Sequence, residues 1–284
     1  MYNFLLIILF SFIFCNSSYL GLLLPSSTSC LSSFNQDYNL SKNILLRGKS
    51  ENNISSHYIS FPNSINIGVF NYDYFFKSFK IKSSISIINY GNFEDSESNY
   101  TFSSNDYIMK NRIFKALNKN IYSSIDFKYL YSNIDIYTSH ALMTKLSFFF
   151  HRERFLLQLF IDNHGVILDS YTRYNEKLPS SFGYNFMVIP KYINAIISVN
   201  YNIYKNYNSF NLTSELSLIK NSSIMVGFSS LSKDLYYGEF YNDILTGISI
   251  TFNSKYKSYL ISMGFKNLGA IGIASSLSIK KYLN

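Results

Sequence analysis

The sequence predicts an all-β fold: a transmembrane antiparallel β-barrel of roughly 14 strands, preceded by an N-terminal signal peptide. Three observations predict it. Apolar and polar side chains alternate at period two along much of the 284 residues, which sends them to opposite faces of strands. Charged residues make up only 15%, with 26 Tyr and 26 Phe but no Trp, whereas a soluble domain carries about a quarter charged residues. Beyond the N-terminus, no stretch reaches the ~18 uninterrupted apolar residues of a transmembrane helix. A coding bias that enriches Asn, Ser, Tyr, Ile and Lys also raises the aromatic content, so the arrangement carries the argument.

Residues 1–17 read as the signal peptide. Phe4 to Phe14 is apolar except for Ser11. That run is shorter than the ~20 residues of a spanning helix and fits the apolar core of an export signal cleaved near Ser17. Cleavage removes Cys15 and leaves Cys30 alone, so there is no disulfide framework and no cysteine-based metal site. Cys30 reads as a small packing residue. Residues 18–53 read as an extended N-terminal segment, with a lumen plug as one role open to it, and residues 54–284 as the barrel.

Within the barrel, Ile121, Ser123, Ile125, Phe127, Tyr129 and Tyr131 form one face of a strand and Tyr122, Ser124, Asp126, Lys128 and Leu130 the other. Only the second face is charged. The same two-faced pattern recurs at 193–203, 244–252 and 259–266. Short turn-forming breaks such as Asn118-Lys119-Asn120 and Asn253-Ser254-Lys255 separate the strands, with longer breaks at 91–107, 163–179 and 232–243. A soluble β-sandwich also alternates. Its strands run about 5–6 residues, however, while these runs match the ~9–11 needed to cross hydrocarbon at a tilt. Tyr72, Tyr74, Phe75 and Phe76 suit an interfacial aromatic belt, and strands in lipid must close into a barrel to satisfy their backbone groups.

The formal net charge is +8, but the Lys and Arg are scattered singly, without the stripe that nucleic acid requires. The four histidines, His57, His140, His151 and His164, form no i, i+3 or i, i+4 metal pair. Ser139-His140 and Asp162-Asn163-His164 are the clearest neighbours for hydrolytic chemistry, and such pairs arise easily by chance in a chain rich in Ser and Asn. The expectation is a non-enzyme without cofactor or metal. Asp126, Lys128 and Glu215, with Lys82, read as lumen groups, because charge on the lipid face costs about 2–4 kcal/mol at mid-membrane. Gly91 and Gly165, each just after a strand, read as turn glycines opening the two longer loops.

Several segments resemble a known family. Leu22-Leu23-Leu24-Pro25-Ser26-Ser27, Ile88-Asn89-Tyr90-Gly91-Asn92-Phe93, Phe102 to Tyr107, Asp162-Asn163-His164-Gly165, Asp169-Ser170-Tyr171 and Glu176-Lys177-Leu178-Pro179 resemble, in order and approximate spacing, the PorQ-like outer-membrane proteins of type IX secretion. The resemblance implies a barrel of the fatty-acid-transporter-like class in the bacterial outer membrane. It implies a component that positions partners for cargo export and surface attachment: a PorV-type barrel, a PorU-type sortase and a PorZ-type protein, besides membrane lipid. The docking loops would then present Asn89, Tyr90, Gly91, Phe93, Glu94, Asp95, Asp106, Tyr107, Asn163, Gly165, Tyr171 and Pro179. The alternative is an outer-membrane transport barrel for hydrophobic small molecules. A luminal plug with a lateral opening would favour transport; a filled lumen with structured outer loops would favour scaffolding.

Overall fold

A computed structural model describes residues 19–47, 51–76, 79–94, 100–171, 177–205, 207–219, 221–231 and 245–283. Among them are fourteen strands: β1 (Asn53–Ser60), β2 (Asn66–Phe76), β3 (Phe79–Glu94), β4 (Thr101–Ala116), β5 (Ile121–Ile134), β6 (Tyr137–Arg152), β7 (Phe155–Asp169), β8 (Ser181–Val188), β9 (Ala195–Tyr204), β10 (Asn208–Ile219), β11 (Ser222–Ser229), β12 (Ile248–Tyr256), β13 (Tyr259–Asn267) and β14 (Ile273–Tyr282). Each pairs antiparallel with its sequence neighbours, and β1 closes on β14 from Asn53↔Tyr282 to Ser60↔Ser275, making a closed barrel. Closure leaves no edge along the ring, which is what hydrocarbon demands of a sheet.

The burial alternation along β6, for example, runs strictly at period two from Ser139 to Arg152. Outward positions carry large apolar side chains, among them Phe70, Ile85, Met109, Phe127, Phe148, Phe186, Ile250 and Met263. Inward positions carry Ser, Asn, Thr and charged groups. This apolar-out, polar-in arrangement is that of a membrane-spanning barrel.

The strand ends sort by rim. The even-numbered strands end at one rim, where the chain to the next strand is short, and the odd-numbered strands end at the other, where the longest separations fall, after β7 and β11. Short turns mark the periplasmic side of such barrels and longer loops the outside, which orients the chain. The break expected at 232–243 lies outside the described residues.

Two loop expectations are corrected. Most of 91–107 is strand, since β3 continues to Glu94 and β4 begins at Thr101, and the first part of 163–179 is strand as well, since β7 runs on to Asp169. Polarity there reports an inward face rather than a loop, since Ser104 and Asp106 are buried inside the wall. Gly91, at φ +86°, does not open a turn. It relaxes a bulge where the β3–β4 register slips between Asn89 and Asn92.

Residues 19–47 lie inside the barrel. A 3₁₀ turn (Leu20–Leu23) is followed by helix α1 (Thr28–Ser33) and helix α2 (Tyr38–Leu45). Ser27 caps α1 by accepting a hydrogen bond from the Cys30 N–H at 3.1 Å. These elements land on the few apolar patches of the inner wall. Tyr38, Ile44 and Leu45 pack with Phe149, Leu156, Met187, Ile196 and Met225. Leu31 packs with Ile59, Ile67, Val69 and Ile88, and Tyr19 and Leu22 with Leu130, Ala141 and Met143. The approach of α1 is close: a Cβ on Gly227 would sit 1.9 Å from the Ser32 carbonyl oxygen, so only glycine fits there.

Candidate functional site

The candidate site is the contact between the luminal segment and the wall. It has three tiers, ordered along the lumen.

Nearest the long-loop rim, the Tyr90 hydroxyl donates to Asp106 at 2.7 Å, Ser132 also donates to Asp106, and Tyr171 donates to Ser132. Tyr19 bonds Ser139 at 2.7 Å and stacks on Tyr171 with ring centroids 6.1 Å apart. One phenol network thus joins the start of the segment to β3, β4, β5, β6 and the β7–β8 connection.

In the middle, Asp37 of the segment is wholly buried. It pairs with Arg112 of β4, with Lys145 of β6 at 2.8 Å, and accepts from the Gln158 side chain of β7 at 2.7 Å. Arg112 also grips Asp126 through two bonds of 2.6 Å, a fork geometry that suits guanidinium and carboxylate. Lys128 donates to Asp162 at 2.5 Å and to Asn163 at 2.8 Å, and Lys145 also reaches Asp162 at 3.5 Å. Burial alone would raise the Asp37 pKa, but the cations of Arg112 and Lys145 hold its carboxyl well below the usual range. Cys30 is different: burial pushes its thiol up to about 11. It stays protonated and serves as packing, not as a nucleophile.

Toward the short-turn rim, the Tyr38 hydroxyl donates to Glu215 of β10 at 2.9 Å and Lys42 pairs with it at 2.5 Å. Below this tier opens a cavity of about 510 Å³ whose lining includes Lys42, His57, Asp73, Lys82, Glu215 and Lys280. Above it, a narrow cleft of about 30 Å³ runs between Leu22 and Leu24 of the segment and Ile67, Ile88 and Ile108 of the wall, with Lys110 and Lys128 at its polar side.

The sequence-derived residues fall as follows. Asp126, Lys128 and Glu215 all face the lumen and belong to the lower two tiers. Asn89, Tyr90, Gly91, Phe93 and Glu94 lie in β3, Asp106 and Tyr107 in β4, and Asn163 and Gly165 in β7. Only Tyr171 and Pro179 lie in a loop, and Asp95 is outside the described residues. Asp106, Asn163, Tyr90 and Tyr171 are engaged within the chain itself. Tyr107 faces outward with its ring 5.8 Å from that of Tyr131. A Cβ on Gly165 would meet the Leu142 carbonyl oxygen at 2.0 Å, so this glycine serves close strand packing rather than a turn.

The hydrolytic neighbours come apart. Ser139 points inward to Tyr19, whereas His140, one residue on, bonds Tyr129 on the outer face at 2.6 Å. Among the described residues no group of three or more His, Cys, Asp or Glu could hold a metal ion. Asp37, Arg112, Lys145 and Gln158 were missed from the sequence. Arg112 and Lys145 stand at inward strand positions, the same signal that singled out Asp126, while Asp37 lies in a segment with no strand period to read.

These features define a closed barrel with a segment of its own chain in the lumen, and comparison with known proteins agrees on the fold. No protein-family profile and no curated protein matches the sequence. Solved structures do match. The toluene transporter TbuX of Ralstonia pickettii superposes with TM-score 0.60 at 7% identity, over 93% of this chain and 99% of that one. The toluene transporter TodX of Pseudomonas putida gives 0.56 at 7%, over 93% and 92%, and a FadL homologue of Pseudomonas aeruginosa gives 0.51 at 8%, over 93% and 96%. The chain is thus an outer-membrane β-barrel with the fold of these proteins, located in the bacterial outer membrane.

The resemblance to PorQ-like proteins is corrected by the same finding. The three barrels named above, each matched over 93% of this chain, are two toluene transporters and a FadL homologue. With that reading fall the role in type IX secretion and the PorV-type, PorU-type and PorZ-type partners. The physical reason lies in the motifs themselves. Asn-Tyr-Gly at 89–91 and Asp-Asn-His-Gly at 162–165 are strand segments shaped by bulges and inward hydrogen bonds, so they describe a barrel wall rather than a docking loop.

Proposed function

We propose that the chain is a plugged outer-membrane channel for hydrophobic small molecules, non-enzymatic, with residues 19–47 as its plug. The observation that carries this reading is the ionic seat of the plug, where Asp37 sits against Arg112 and Lys145 across the lumen. A diffusion porin for sugars needs an open, water-filled bore; here the bore is occupied by the chain's own segment, and passage requires that segment to shift. The cleft beside it is too narrow for a solute until the segment shifts, and Leu22, Leu24, Ile67, Ile88 and Ile108 would then give the widened passage an apolar side. The transporters that share the fold are consistent with this solute class.

The test is uptake in cells lacking their own hydrophobic-solute channels, with and without this chain. A monoaromatic hydrocarbon and a long-chain alkyl solute should enter faster when it is expressed, while a disaccharide of similar mass should not. Equal acceleration of the disaccharide, or no acceleration of either apolar solute, would reject the reading.

A further inference from the structure

Charge is unequally divided between the two rims. At the short-turn rim Lys115 stands near the end of β4, Arg152 ends β6 and Lys281 lies near the end of β14. Lys191 and Lys257 occupy the β8–β9 and β12–β13 turns. The period-two alternation puts Lys115, Arg152 and Lys281 on the outer face, because Ile113, Phe150 and Ile279, two residues deeper on the same strands, are exposed apolar groups. Each cation therefore stands where the apolar band stops, at headgroup level, with its stem along the hydrocarbon.

Four of these lysines lie beside aromatic rings of the same rim. Lys115 lies 5.0 Å from the Phe79 centroid, Lys191 5.4 Å from Tyr192, Lys257 5.4 Å from Tyr256 and Lys281 5.7 Å from Tyr259. A cation over a ring face keeps its charge available to an anion. None of the four has a carboxylate partner among the described residues. At the opposite rim the described residues include Glu94, Asp135 and Asp169 beside Lys177 and Lys205.

We infer that the short-turn rim is a binding surface for the anionic phospholipid headgroups of the periplasmic leaflet. Anionic lipid attracts basic groups held at a membrane surface. An acidic protein in the periplasm is the competing occupant. Lys115, Arg152 and Lys281 decide against it, because they point out of the wall at the edge of the apolar band, where lipid is the neighbour. The proposal rests on the barrel and its orientation alone, and stands whether or not hydrophobic solutes pass the lumen.

The test uses the full chain purified in an uncharged detergent and titrated with phosphatidylglycerol, phosphatidylcholine or lipid A, with bound lipid counted by native mass spectrometry. Phosphatidylglycerol should bind about tenfold more tightly than phosphatidylcholine, and the difference should shrink as salt is raised. The fourfold variant Lys115→Gln, Lys191→Gln, Lys257→Gln, Lys281→Gln should lose most of that preference while its unboiled form still migrates as a folded barrel. Equal binding of the two phospholipids by the unaltered chain would overturn the proposal, a readout that needs no variant to fold. So would a preference surviving in the folded fourfold variant, tighter binding of lipid A than of phosphatidylglycerol, or displacement of bound phosphatidylglycerol by an acidic periplasmic protein.

Discussion

At the scale of single residues, Asp37 concentrates the interaction between segment and wall. Replacing one partner of a buried ion pair costs about 3–5 kcal/mol, because the other charge is left without compensation. For Asp37→Ala the cost should fall toward the lower end, since Arg112 keeps Asp126 and Lys145 keeps Asp162. We expect the variant to form a closed barrel whose luminal segment is cut by protease faster than in the parent, with more frequent ion-conducting openings in planar bilayers. Acid should act differently. The Asp37 carboxyl is held well below its ordinary range in the folded chain, so its stabilising contribution is complete above the ordinary carboxylate pKa and is lost only as pH falls through the depressed value. Protease resistance of the segment should therefore be unchanged at about pH 5 and fall only in stronger acid. Loss of resistance near pH 5 would assign the seat to another group.

At the scale of elements, the two faces of each strand were legible and the function of the inner face was not. The alternation at 121–131 separates Ile125 from Lys128, and in the structure Ile125 stands opposite Leu146 while Lys128 reaches Asp162. Ile125→Lys should reduce the folded, heat-modifiable form sharply, as a lipid-facing lysine costs about 2–4 kcal/mol at mid-bilayer. Lys128→Ile should still insert, with a lower melting temperature, because Lys145 remains near Asp162. Equal yields of folded barrel from both would contradict the face assignment. What the alternation could not reveal was which polar stretches were loops. Ser, Asn and Asp serve both turns and a wet or ion-paired inner face, so β3, β4 and β7 looked shorter than they are. A local break in the rule did hold information: Ile67 and Val69 flank Gly68, and Phe149 lies between Phe148 and Phe150, leaving both faces apolar where the luminal segment lands.

At the scale of the whole molecule, the wall closes through its own ladder from β1 to β14, so the luminal segment is not needed to complete the sheet. Deleting residues 19–47 should leave a barrel that still shifts on unboiled gels, while conductance rises and selectivity for apolar solutes falls. Loss of the heat-modifiable band would mean that the segment holds the wall together. The barrel class, its strand number and its membrane location could be read from pattern alone, because period and strand length follow directly from crossing a bilayer. The tiers inside could not, since they join residues that share no local pattern.

Those long separations also govern the order of assembly. Ser32 bonds Thr251 across 219 positions, and Tyr38 bonds Glu215 across 177. A chain made and exported from its N-terminus releases the luminal segment first and its partners on β10 and β12 almost last. Contacts so distant in sequence carry a heavy loop-closure penalty and form slowly. Leu31 can meet its neighbours on β1, β2 and β3 early, but Ser32 and Tyr38 must wait for Thr251 and Glu215 until the late strands arrive and the seam between β1 and β14 can shut around the segment.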